Sequence, residues 1–238
     1  RLKKGTRKGI DRLEVFTRKV SQNYTADCWA LKCDIKKFFA SVNHKIHLSL
    51  LRKKIYDNDI IWLLEQVIYS FCSDKGERRG IPLGNLTSQV FANIYLNGLD
   101  QFVKHKLKTK YYMRYADDFL FLSKNKELLR KYVDVLKQFL SRKLKLELHP
   151  DKIIFRKLNW GIDFLGYIVL PYYIMPRTRT KRRIFKKLKE KITSENFNQS
   201  LQSYLGYLGH ARSFKITQEL KNRVWLGMKL DNICLGYS

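Results

Sequence analysis

The sequence predicts an α+β chain, and three observations carry that prediction. Residues 29–34 read as a buried strand that ends in an acid. Two short apolar and aromatic runs, 111–114 and 119–122, flank Tyr115, Ala116, Asp117 and Asp118 as the arms of a β-hairpin flank its turn. Around these segments, apolar residues recur at helical spacing over long stretches. Strand and helix patterns are mixed along one chain, as in α+β proteins.

Each element follows from its residues. The basic, glycine-containing residues 1–9 predict a loop, and Ile10, Leu13, Phe16 and Val20 a helix. After the first strand, Phe38, Phe39 and Val42 begin a turn and helix, and apolar spacing continues through Ile46, Leu48, Leu51 and Ile55. Ile60, Leu64, Val67, Ile68 and Phe71 form another stripe, closed by a loop over 73–85 in which Gly76, Gly80, Pro82 and Gly84 act as breakers. Asn85 or Thr87 then caps a long helix carrying Phe91, Tyr95, Leu99 and Phe102. Beyond the hairpin, Leu129, Val133, Leu136 and Leu140 mark a helix, with strands expected near 144–148, 153–155 and 164–170. Past Pro176 the chain turns strongly basic, and helical patterns appear around 181–192, 198–212 and 217–228, which places a boundary near 176. No internal repeat or low-complexity tract is present.

Charge narrows the partners. Among 238 residues, Lys and Arg number 48 against 21 Asp and Glu, a net +27, on an otherwise globular composition with 45% apolar residues. Such a surface seeks polyanions, either nucleic acid or an anionic membrane. No apolar run approaches the ~20 residues that span a bilayer, so a membrane role is not expected. A basic ribosomal or packaging protein would show the same excess while catalysing nothing. Cys28, Cys33, Cys72 and Cys234 lack a paired C-x-x-C spacing, which argues against zinc or a disulfide framework and suits a reducing cytoplasm. The chain opens on Arg1 without a signal-peptide pattern and reads as a fragment lacking its natural start.

Acids are scarce, so their placement is informative. An Asp-Asp pair alone is more often a solvated surface turn. In an apolar hairpin, however, Asp117 and Asp118 bring like charges together at a cost that a cation removes. Carboxylates suit magnesium rather than zinc. Asp34, ending a separate buried strand, can join them through a central sheet. Three acids can clamp two magnesium ions ~3.5–4 Å apart, the arrangement used for in-line phosphoryl displacement by a primer hydroxyl.

These residues also carry a resemblance. Tyr115-Ala116-Asp117-Asp118 resembles the catalytic motif of reverse transcriptases, and the run from Leu31 through Asp34 to Phe39 resembles their first palm motif. The run from Gly80 through Gly84 to Ser88-Gln89 resembles the motif between them, and Phe164-Leu165-Gly166-Tyr167 the primer grip. The four motifs stand in the family's order. The resemblance implies a right-hand polymerase: a remnant of the fingers over 1–27, an antiparallel palm backed by helices over 28–176 and part of a helical thumb over 177–238, with most of the fingers absent.

Carried over by position, Asp34, Asp117 and Asp118 are implied metal ligands, with Ile35 offering a backbone carbonyl to magnesium, for which manganese can substitute. Phe39 is the implied steric gate selecting deoxynucleotides, the bland alternative being that Phe38 and Phe39 are both core rings. Leu83, Gly84, Ser88 and Gln89 are implied to line the nucleotide site. An aliphatic residue before Gly-Asn, with Ser-Gln following, is similar to the reverse transcriptases of diversity-generating retroelements, which copy RNA with errors; intron and retron types are the alternative. Lys152 stands where the family carries a lysine that can protonate pyrophosphate, or is simply an exposed lysine. Tyr115, Gly166 and Tyr167 are implied primer and template contacts. Arg177, Arg179, Arg182 and Arg183 can track phosphates or form a solvated face. Implied partners are an RNA template, a DNA or RNA primer, deoxynucleoside triphosphates and a small basic accessory protein. A retired palm acting as an RNA-binding scaffold is the reading from another class.

Overall fold

The structure is a computed structural model that describes residues 5–71, 78–82, 84–191, 194, 196–209, 211, 214 and 216–223. It divides into two compact units, Lys19–Lys157 and Arg1–Arg18 with Leu158–Ser238. Helix α1 (Thr6–Val20) runs through the division.

The first unit is built on a four-stranded antiparallel sheet in the order β2-β3-β1-β4, made by β1 (Trp29–Cys33), β2 (Tyr112–Tyr115), β3 (Asp118–Ser123) and β4 (Ile154–Lys157). Strand β1 is central, pairing Cys33 with Phe119 on one side and Lys32 with Ile154 on the other. Period-two alternation sends Leu31, Cys33 and Ile35 into the core, together with Phe119 and Phe121 of β3. Helices α2 (Phe38–Ser41), α3 (His44–Arg52), α4 (Asn58–Tyr69), α5 (Leu86–His105) and α6 (Lys126–Phe139) supply most of the rest of that core.

Caps explain where several helices begin. Asn43 accepts from Ile46 N at 3.1 Å, Asp57 from Asp59 N and Ile60 N at 2.9 and 3.0 Å, and Asn125 from Glu127 N and Leu128 N at 2.8 and 3.2 Å. Asn85 holds the N-cap position of α5 without a side-chain cap bond. Tyr95 on α5 is fully buried; its hydroxyl donates to Leu144 O at 2.6 Å and accepts from Asn43 N at 3.3 Å. The free thiols Cys28 and Cys33 are buried, which pushes both up to about 12.

The second unit holds a three-stranded meander, β5 (Ile162–Phe164), β6 (Tyr167–Leu170) and β7 (Tyr173–Pro176), with α7 (Thr178–Glu190) and α8 (Phe197–Leu208). Ile184, Leu188, Phe197, Leu208 and Leu220 form its small helical core.

Two expected strands differ. The segment 144–148 is not a strand: α6 runs on into a π-turn over Leu140–Leu144, Lys145 takes a left-handed φ of 52°, and only Leu148 bridges, to Ile35. The segment 164–170 is a hairpin, because Leu165 (φ 50°) and Gly166 (φ 88°) supply the two positive dihedrals of a tight turn. The helical pattern of 217–228 is met over 216–223, and its last residues lie outside the described ones. By compactness the first unit ends at Lys157, and among the described strands β5, β6 and β7 pair with one another. No described helix is long and apolar enough to cross a membrane.

Candidate active site

The site grows from the register of β1 against β3. Cys33 pairs with Phe119, so the residue that follows β1, Asp34, falls beside Asp118 at the start of β3. Asp117 precedes it in the two-residue turn Ala116-Asp117, closed by the Tyr115–Asp118 pair. Ala116 holds φ at 53°, a left-handed conformation that costs a non-glycine residue of order 1 kcal/mol and fixes the turn tightly.

Alternation also decides which side chains meet the acids. Lys32 lies on the same face of β1 as Asp34, two residues away, and its Nζ stands 3.6 Å from Asp118 Oδ1. Lys152, at the end of the 3₁₀ turn Pro150–Lys152, places Nζ 2.6 Å from Asp34 Oδ2. That turn is tied to β1 through His149 N, which donates to Asp34 O at 2.8 Å, and Lys36 N, which donates to Glu147 O at 2.9 Å. The Lys152 reach therefore comes from backbone pairing across 118 residues of sequence, which spacing could not reveal.

The acids feel one another. Burial pushes the Asp117 carboxyl above its ordinary range, and the charges of Asp34 and Asp118 push the same way. Burial likewise raises Asp118, with Lys32 opposing and Asp34 adding. The hydrogen bond to Asp34 raises Lys152. Asp34, Asp117, Asp118 and Lys152 thus form one electrostatic cluster.

A hard divalent cation suits this donor chemistry, since the acids are carboxylates that destabilise each other's charge. As placed, no three His, Cys, Asp or Glu side chains among the described residues converge into a metal-holding group. Asp34 and Asp118 engage lysines instead, so a cation would take over contacts that Lys152 and Lys32 now make. Ile35, 1% exposed, turns its side chain into the core and has only main-chain atoms to offer.

Sequence reasoning missed one support. Arg114 on β2 is forked onto Asp100 of α5, Nε to Oδ1 at 2.9 Å and Nη2 to Oδ2 at 2.6 Å, while Nη1 donates to Ala116 O at 2.9 Å in the acidic turn. Tyr112 Oη also donates to Asp100 Oδ1, at 2.8 Å. The Arg114 guanidinium is 6% exposed, so α5 fixes the turn through a largely buried ion pair. An arginine inside an apolar hairpin arm was the available signal.

The other expected residues are distributed as follows. Phe38 is buried, and Phe39 is half-buried with its ring edge-on to Phe38 at 5.2 Å. Gly84 is exposed at φ 93°, Ser88 is buried with no hydrogen-bond partner for its hydroxyl among the described residues, and Gln89 is exposed. Leu83 lies outside the described residues. Tyr115 is 40% exposed at the hairpin end.

In the second unit, Gly166 O accepts from Tyr207 Oη at 2.7 Å and from Arg177 N at 3.0 Å, and Tyr167 stacks on Tyr207 at 4.6 Å. Arg177 is committed to Asp163, whereas Arg179, Arg182 and Arg183 are exposed on α7.

Residues 3–169 match the family described as Reverse transcriptase (RNA-dependent DNA polymerase). The chain belongs to the reverse transcriptase family. Among curated relatives, the group II intron-encoded protein LtrA of Lactococcus lactis subsp. cremoris is 24% identical, covering 83% of this chain and 43% of LtrA. Protein YkfC of Escherichia coli (strain K12) is 26% identical, covering 58% of this chain and 46% of its own. This reverse transcriptase chain spans less than half the length of either relative. Among solved structures, apo telomerase from Candida tropicalis aligns with a TM-score of 0.58 at 16% identity, over 95% of this chain and 45% of that one. Telomerase from Candida albicans, in complex with a fragment of telomeric RNA, gives 0.57 at 15% identity, over 92% and 43%. The mixed helices and antiparallel sheet are the α+β fold of a reverse transcriptase palm.

Proposed function

We propose that this chain is the polymerising portion of an RNA-directed DNA polymerase, with residues 28–176 as palm, 177–238 as partial thumb and 1–27 as the end of the fingers. The observation that carries the proposal is the cluster of Asp34, Asp117 and Asp118 at one end of the sheet, inside a reverse transcriptase family match. Asp34, Asp117, Asp118 and the Ile35 carbonyl would hold two magnesium ions, or manganese. Such ions would supply Lewis acidity toward a primer 3′-hydroxyl and neutralise charge on the departing pyrophosphate. The chain's own groups position it: Arg114 and Asp100 fix the turn, and Lys152, once released from Asp34, stands ready to protonate the leaving group. Template RNA, primer and deoxynucleoside triphosphates are the substrates of this reading, in a cytoplasmic setting.

Primer extension on a poly(rA)/oligo(dT) duplex with magnesium tests it, using a full-length protein that includes the fingers. Asp117→Asn is expected to cut extension at least ~100-fold while leaving duplex affinity nearly unchanged, since the lost interaction belongs to the transition state. Absence of extension by the unaltered protein would leave the RNA-binding scaffold reading.

The finer proposal, an error-prone enzyme of a diversity-generating retroelement with a basic accessory protein, is supported by the Leu83-Gly84-Asn85 and Ser88-Gln89 sequence. The curated relatives reported above include an intron-encoded protein, which supports the alternative subtype. Sequencing cDNA made by Leu83→Gln separates them: fewer misincorporations support a fidelity role for Leu83, and an unchanged spectrum removes it. In the same assay Phe39→Ala is expected to admit ribonucleotides.

A further inference from the structure

The acidic turn occupies one end of the β2–β3 hairpin, and a basic cavity occupies the other. Its volume is ≈ 500 Å³, and its lining includes Lys19, Lys108, Lys110 and Lys124 with Tyr111 and Tyr132. Strand β3 runs from Asp118 to Ser123, which also lines the cavity, so the two ends lie about 17 Å apart at ~3.4 Å per residue.

Three features bear on what this cavity can hold. No carboxylate lines it. Its four lysines are exposed, and no ion pair to a described acid holds any of them. Four ammonium groups around one concavity repel each other, and an anion relieves that cost. Finally, the walls are firm. Leu122 N donates to Tyr111 O at 2.9 Å, Asn125 is fixed as the cap of α6, and Gln22 and Lys108 are held at left-handed φ values of 51° and 50°.

The half-buried Tyr111, with Lys110 Nζ 5.9 Å from its ring centroid, and Tyr132, whose ring packs against Phe121 at 5.6 Å, place aromatic groups beside the cations. Cations at a rigid concavity with aromatic faces and neutral hydrogen-bonding groups are the chemistry that takes single-stranded nucleic acid, phosphates on lysines and bases on rings. We propose that this cavity is a second RNA-binding site, taking the sugar-phosphate backbone of a single-stranded RNA segment away from the catalytic turn. It goes beyond the polymerase reading and needs no catalysis to be true.

The test uses the full chain, fluorescein-labelled oligo(rU) and fluorescence anisotropy over a series of KCl concentrations. Loss of three phosphate contacts in Lys108→Gln/Lys110→Gln/Lys124→Gln, at ~0.7 counterions each, is expected to lower the slope of log K against log salt by about 2. Affinity at low salt is expected to fall on the order of 10-fold or more, and the corresponding triple arginine variant to retain both. A charge-matched control, Lys45→Gln/Lys53→Gln/Lys54→Gln, is expected to change neither by as much. An unchanged slope in the cavity variant, or an equal loss in the control, would overturn the proposal. So would loss of poly-L-glutamate binding with oligo(rU) binding intact, which would assign the cavity to an acidic protein. Binding is the readout, so a failure of primer extension does not bear on this result.

Discussion

His47 shows how one residue can set the pH behaviour of the core. It is fully buried on α3, edge-on to the rings of Phe91 at 4.7 Å and Tyr95 at 5.7 Å, and neither ring nitrogen has a hydrogen-bond partner among the described residues. Burial, with the neighbouring His44 adding to it, lowers its pKa from 6.5 to about 4. The folded chain therefore prefers neutral imidazole. Its contribution is present above about pH 6.5 and is lost as pH falls to about 4, because the unfolded chain takes up the proton first. Across that window the loss is on the order of 3 kcal/mol. Urea unfolding between pH 7 and 4 is expected to show this slope, and His47→Leu to flatten it; an equal slope in the variant would shift the acid sensitivity to other groups. His47 was invisible as a special residue in the sequence, since a histidine on a helical stripe carries no mark of its burial.

Among elements, α5 and the β2–β3 hairpin are bound into one device by Asp100 and Arg114. Removing Asp100 leaves a guanidinium that is 6% exposed without its carboxylate, and frees the Ala116 carbonyl contact to wander. Asp100→Ala is expected to lose roughly 3 kcal/mol in denaturant unfolding and to slow extension more than Asp100→Asn, which keeps an acceptor. Equal effects of the two variants would mean that charge, not positioning, is what Asp100 supplies. The elements themselves were largely legible in the sequence, because periodicity of two and of 3.6 separates β1 and the hairpin from α1, α4, α5 and α6. What was not legible were features settled by distant backbone: the π-turn in place of a strand after Leu140, and the meeting of Lys152 with Asp34. That Asp34 stands near Asp117 and Asp118 follows from strand ends legible in the sequence, whereas Lys32 and Arg114 were passed over as ordinary basic residues.

For the whole molecule, the central strand β1 is the organising fact. Its residues pair with 119–123 of β3 and with 154–157 of β4, both far along the chain, so the sheet is dominated by non-local contacts. A chain ending at Lys157 is expected to keep a cooperative urea transition by circular dichroism, and one ending at Ser123 to lose it; a cooperative transition in the shorter chain would show that β4 is dispensable. During translation, Trp29 to Cys33 leaves the ribosome long before either partner strand has been made, and Asp34 waits with it. Its neighbours Asp118 and Lys152 arrive in two later instalments. The acidic cluster has no nascent form, so a ribosome that stalls before Lys152 releases a chain in which Asp34 cannot meet that lysine.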